Sequence, residues 1–141
     1  MSQQFERATQ DELGRTIVTC ADIPLVELAP GAMSHIVAGK NMTLSIASLQ
    51  AGSYFPVHTH DNMEQMMLVL KGELDAILDG KLFRMKAGDL ICFPAGHQHG
   101  AQMVDVDCEI VDIFSPARPD YEAKPVSYTH LRAHETVLDL V

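Results

Sequence analysis

FPVHTHDNMEQ, residues 55–65, carries two histidines one residue apart, His58 and His60, with a carboxylate, Glu64, and an amide, Gln65, close behind. On an extended strand the side chains at i and i+2 face the same way, so both imidazoles can turn to one side of a sheet. Taken alone, the pair reads equally well as two solvated rings at the start of a strand. It is not alone, because GDLICFPAGHQHG, residues 88–100, brings a further histidine, His99, behind glycine and proline at turn-forming positions.

Outward from these stretches, residues 41–114 alternate short apolar runs with turn signals. MTLSIASL meets AGS, MMLVL meets KG, ELDAILDG leads to KLFRM, LICF meets PAGHQHG, and CEIVDIF meets SPARP. Runs this short and this evenly spaced predict the strands of an all-β sandwich or barrel. Asp79-Gly80 between two of them predicts a two-residue hairpin, since a type I′ turn needs positive φ at both central positions. Residues 1–20 are read as an N-terminal arm with room for one short helix capped by Thr9 or Asp11.

Length and charge exclude several classes. A chain of 141 residues with 47% hydrophobic content suits one domain around one core. No apolar run approaches the roughly 20 residues of a membrane span, and the first fifteen residues lack the apolar stretch of a secretory signal, so a cytoplasmic location and no membrane partner are expected. A net charge of −9 with no basic patch excludes nucleic acid as an expected partner. Cys20, Cys92 and Cys108 are odd in number and not closely spaced, which predicts reduced thiols rather than a disulfide frame. Met63, Met66, Met67, Met85 and Met103 are read as core packing, because thioethers fill irregular interiors.

Set together, the glycines and histidines form a pattern. Gly52 stands six residues before His58, Gly72 closes the following run, and fifteen residues separate it from Gly88, which begins G-x5-P-x-G-x2-H through Pro94, Gly96 and His99. In this pattern the chain resembles the cupin superfamily over about residues 22–121. The family's usual Asn late in the second motif is replaced here by Met103. The resemblance implies a single-domain antiparallel β-barrel, a double-stranded β-helix or jelly roll, over residues 21–122, with metal ligands inside one mouth. It also implies a homodimer, and the apolar residues 21–40 suit a segment that crosses to a partner.

Carried over position by position, the implied metal ligands are His58, His60, His99 and one of Glu64 or Gln65. Strand parity does not choose between the last two, since Met66, Leu68 and Leu70 are as apolar as Met67 and Val69. The family spacing does: its third ligand precedes the closing glycine by seven, and seven before Gly72 is Gln65. Nitrogen and oxygen donors of this kind suit one divalent transition metal, nickel, zinc, iron, cobalt or manganese. His97, in the glycine turn, is the weaker candidate, and His35 is read as a surface residue.

Asp112, Phe114 and Arg118, in DIFSPAR, make a second feature. From the residues alone this is either a strand end with a structural Asp–Arg pair or part of a site, since an aspartate in an apolar strand is costly unless satisfied or used. With the metal motifs it looks like the cupins that linearise 4,5-unsaturated monouronates in pectin and alginate breakdown. That likeness implies a metal-dependent enzyme with a small anionic substrate and catalytic Asp112, Phe114 and Arg118. Its alternatives are a cupin dioxygenase and a non-catalytic module that binds metal or a small ligand. The acidic net charge does not forbid an anionic substrate, because physiological salt screens surface charge beyond about 8 Å.

VSYTHLRAHET, residues 126–136, is similar to the translation of a transposon-end adapter used in sequencing libraries, and residues 126–141 are therefore read as non-native, His130 and His134 included. A chain ended after Pro125 should unfold as cooperatively and bind metal as well as the full chain. Loss of the cooperative transition in a thermal melt would make the tail a structural element.

Overall fold

The structure is a computed structural model that describes residues 4–117; the expectations for Arg118 and for residues 126–141 lie outside the described residues. Ten strands follow a short helix: β1 (Val26–Ala29), β2 (Ala32–Ala38), β3 (Thr43–Leu49), β4 (Tyr54–His58), β5 (Glu64–Lys71), β6 (Glu73–Leu78), β7 (Lys81–Lys86), β8 (Leu90–Phe93), β9 (His99–Met103) and β10 (Cys108–Ser115). They form two antiparallel sheets, one in the order β1-β2-β3-β10-β5-β8 and one in the order β4-β9-β6-β7. This is a jelly-roll barrel. Its core, which includes Ile36, Leu49, Val69, Leu74, Phe93 and Ile110, is filled by alternate residues of both sheets.

Turn chemistry explains much of this order. Asp79 (φ 50°) and Gly80 (φ 79°) make the predicted hairpin between β6 and β7. Gly72 links β5 to β6 at φ 81°, and a Cβ added there would run into the carbonyl oxygen of Asp107. Gly72→Ala is therefore expected to cost roughly 1–3 kcal/mol from the left-handed backbone alone, with the clash in addition. Urea denaturation measures it, and an unchanged midpoint would refute the steric argument.

The N-terminal arm carries helix α1 (Gln10–Thr16). Thr9 caps it: Thr9 Oγ1 accepts from the Glu12 amide at 3.1 Å and Glu12 Oε1 accepts from the Thr9 amide at 2.9 Å. The helix buries no residue of its own. Beyond it Ile23 packs with Val18 and Cys20 against Val37 and Leu44, outside the barrel wall.

Residues 26–38 form a hairpin that pairs with β3, and alternate residues of β2 (Ala32, Ser34, Ile36, Ala38) are buried toward the core. Two readings need correction. His35 is half-buried rather than a free surface residue, and its Nδ1 donates to the Ile23 carbonyl at 2.6 Å, which ties the arm to β2. Met63, Met67, Met85 and Met103 are core residues, but Met66 faces out, since it alternates with buried Gln65 and Met67. The three cysteines are free thiols. Among the described residues no helix is long and apolar enough to cross a membrane.

Candidate metal centre

The site is built from both sheets. β4 and β9 are paired so that His58 lies directly opposite His99, with a register shift between Phe55 and His58. Pro56 sits within that shift, where its missing N–H leaves the ladder incomplete. β4 ends at His58, so His60 belongs to the connection that follows rather than to the strand. Gly96 of the second motif donates to the His60 carbonyl at 2.8 Å, which ties the glycine turn of one motif to the histidine loop of the other.

The three imidazoles thus meet. Their ring centroids are 4.8 Å (His58 to His60), 4.4 Å (His58 to His99) and 5.1 Å (His60 to His99) apart, and one ring nitrogen from each lies within 4.8 Å of the others. Two of the rings are fixed by backbone. His58 Nδ1 donates to the Pro56 carbonyl at 2.7 Å, and His99 Nδ1 donates to the His97 carbonyl at 3.1 Å. A carbonyl can only accept, so in a neutral ring the proton is on Nδ1 and Nε2 carries the lone pair a metal uses. Burial, aided by the nearby His58, lowers the His99 pKa, while the His97 carbonyl opposes the shift; the balance favours the neutral, ligating form. Phe93 stacks on His99, with centroids 4.8 Å apart and planes 17° from parallel.

Gln65 enters from β5, whose alternation turns Gln65, Met67 and Val69 inward and Glu64 outward. Its Nε2 donates to Asp112 Oδ1 at 3.0 Å. Among the described residues, Nε2 of His58, Nε2 of His99 and Oε1 of Gln65 are buried without a hydrogen-bond partner, and Nε2 of His60 is buried beside them. Buried polar atoms normally find partners. The unpartnered nitrogens of His58 and His99 and the unpartnered Gln65 oxygen, with the His60 ring grouped beside them, fit a divalent transition ion that His58, His60, His99 and Gln65 would hold. Glu64 is exposed and accepts from the Cys92 thiol at 3.6 Å; burial first, then the Glu64 charge, raises that thiol's pKa.

Asp112 and Phe114 point inward from β10 into the same cavity, of about 30 Å³, lined also by Ser45, Phe55, His58, Gln65, Phe93 and His99. That is room for an ion and one or two waters. Burial pushes the Asp112 carboxyl up to about 7, against the pull of the Gln65 hydrogen bond. Phe114 stands edge-on to His60 with centroids 6.2 Å apart. His97 is turned away: it is exposed, its Nδ1 meets Asp79 Oδ2 at 2.7 Å, and its carbonyl rather than its ring serves His99. Sequence reasoning missed Ser45, Phe55 and Phe93 as lining residues, and the Pro56 and His97 carbonyls as ring anchors. A backbone carbonyl carries no residue signature, so only the fold reveals the latter two.

Known proteins are similar to this chain to different extents. The chain is 24% identical over 101 residues to the pectin degradation protein KdgF of Dickeya dadantii, covering 71% of this chain and 92% of that protein. The solved structure of KdgF from a Halomonas species superposes with a TM-score of 0.70 at 25% identity, covering 74% of this chain and 96% of that one. An RmlC-like cupin from Shewanella frigidimarina shares the fold, with a TM-score of 0.69 at 23% identity over 75% and 95% of the two chains. Quercetin 2,3-dioxygenase of Bacillus subtilis is 38% identical over 52 residues, a match to 37% of this chain but only 15% of that protein's length. The cupin domain family model matches residues 45–114, the interval that runs from Ser45 to Phe114 and contains all four candidate ligands, and the chain belongs to the cupin family.

Proposed function

We propose that the protein is a metal-dependent enzyme that opens the ring of a 4,5-unsaturated monouronate to its open-chain keto form. The observation that carries this reading is the meeting of three imidazoles, His58, His60 and His99, beside a small cavity that His58 and His99 line together with Gln65 and the buried carboxylate of Asp112. Similarity to pectin degradation proteins over most of their length supports the substrate class.

The reaction is an isomerisation, so no oxidant or water is consumed. The hydroxyl on the anomeric carbon loses a proton and becomes the aldehyde as the bond from that carbon to the ring oxygen breaks, and the resulting enolate takes a proton on carbon 4 to become a ketone. A bound divalent ion would supply Lewis-acid polarisation of the substrate oxygen beside it. Asp112 is the acid–base group at the wall of the cavity and takes and returns the proton. Phe114 and Phe93 give that end of the cavity an apolar lining. Arg118, assigned from the sequence resemblance, holds the substrate carboxylate in a bidentate pair. A cavity of about 30 Å³ admits only the reacting end of a sugar acid, so the rest of the ring is held at the mouth.

The test is metal analysis of the purified protein coupled to the loss of the unsaturated-uronate absorbance. Absorbance that decays in proportion to metal content is expected; a metal-loaded protein that leaves it unchanged would sink the proposal. The local match to quercetin 2,3-dioxygenase favours one second reading, an oxygen-using cupin. Consumption of dissolved oxygen with an aromatic substrate, absent with the uronate, would select it.

A further inference from the structure

We infer that Asp112 is a positioning residue for the metal site, because its carboxylate takes the NH₂ end of the Gln65 amide and so leaves Oε1 as the end offered to an ion held by the three imidazoles. The inference rests on the reading of His58, His60, Gln65 and His99 as ligands and goes beyond it. An amide turned by half a rotation keeps its shape but exchanges oxygen for NH₂, and an NH₂ group aimed at a cation repels it. Something must therefore fix its polarity. Gln65 and Asp112 are 8% and 6% exposed, and the hydrogen bond between them runs from Nε2 to Oδ1 at 3.0 Å. A carboxylate oxygen accepts, so Asp112 selects the NH₂ end of Gln65 and leaves Oε1, which has no hydrogen-bond partner among the described residues, for the ion.

β-sheet register builds the pair. Gln65 lies opposite Phe114 and Met67 opposite Asp112 on the neighbouring strands β5 and β10, so Gln65 and Asp112 are diagonal neighbours on the inward face. The arrangement also explains why an amide rather than a carboxylate suits position 65. A glutamate there would set two carboxyl groups against each other, and one of them would have to take up a proton to bridge them, whereas glutamine offers a donor to Asp112 and an acceptor to the ion at once without that protonation.

The experiment is titration of the full chain with cobalt(II) in competition with a chromophoric chelator, with thermal melts to verify folding. Asp112→Leu and Asp112→Asn remove the same charge, but only Asn keeps an acceptor oxygen for Gln65. Cobalt affinity is expected to fall by about 10- to 100-fold in Asp112→Leu, the range for lost outer partners of metal ligands, and by less than about 3-fold in Asp112→Asn. Equal losses in the two would overturn the inference in favour of a plain charge effect. Should the Leu variant fold poorly, an isosteric pair decides. Gln65→Glu should weaken cobalt binding by about tenfold or more beside Asp112 and by little beside Asp112→Asn, where donor and acceptor are restored with reversed polarity. The same effect of Gln65→Glu in both backgrounds overturns the inference. A wild-type protein that takes up no cobalt would instead sink the metal-site reading itself.

Discussion

Purified Gln65→Ala protein should hold far less metal than wild type, while Glu64→Ala should hold as much. Both residues stand near His58 and His60 in the sequence, yet strand alternation parts them. Gln65 is buried and lines the same cavity as His58 and His99, with Oε1 unpartnered among the described residues, whereas Glu64 is exposed on the outer face beside Cys92. Loss of an outer partner of a ligand already costs about 10- to 100-fold in affinity, so loss of the ligand itself should cost at least that. Elemental analysis after exhaustive dialysis, normalised to folded protein, gives the ranking. The result bears on chemistry, since three neutral imidazoles and a neutral amide leave a divalent ion its full +2 charge, and a glutamate ligand would reduce that to +1. The reverse ranking would move the ligand to Glu64 and with it lower the Lewis acidity expected of the site.

The grouping of His58, His60 and His99, with Gln65 on the inward face of β5, was legible in the sequence because its spacing is set by the fold. Gly72 is a glycine for a steric reason, the nearby Asp107 carbonyl, and counting back from it reaches the inward face of β5 at Gln65. β6, β7, β8 and β10 were legible as short runs between turn residues. β9 was not: HGAQM contains Gly100, Ala101 and Gln102, has little strand propensity, and is a strand because β4 and β6 pair with it on either side. His60 was read as part of a strand on parity with His58, although β4 stops at His58 and the loop is held instead by the Gly96 amide. The bond between Gln65 and Asp112 spans 47 residues and depends on the register of β5 against β10, which no local pattern encodes. Asp112 could be singled out as a costly buried acid; its partner could not.

Asp112→Asn should abolish most turnover while leaving the metal in place. The substitution keeps the shape of the side chain and an acceptor oxygen for Gln65 Nε2, but it removes the group that carries a proton, and general acid–base groups contribute about 10² to 10⁴ in rate. The loss should appear in kcat, with cobalt or nickel content per folded chain unchanged. Arg118→Lys should act differently. It preserves the charge and loses the planar fork that grips a carboxylate, so KM for the uronate should rise, with a smaller effect on a neutral analogue of the same ring. If the two residues serve only as a structural pair at the end of β10, both substitutions should lower the melting temperature and leave the activity of each folded, metal-loaded molecule intact. Melts and kinetics on the same preparations separate these outcomes, because a proton carrier in a preserved cavity loses rate without losing stability, whereas a strand-end brace loses stability first.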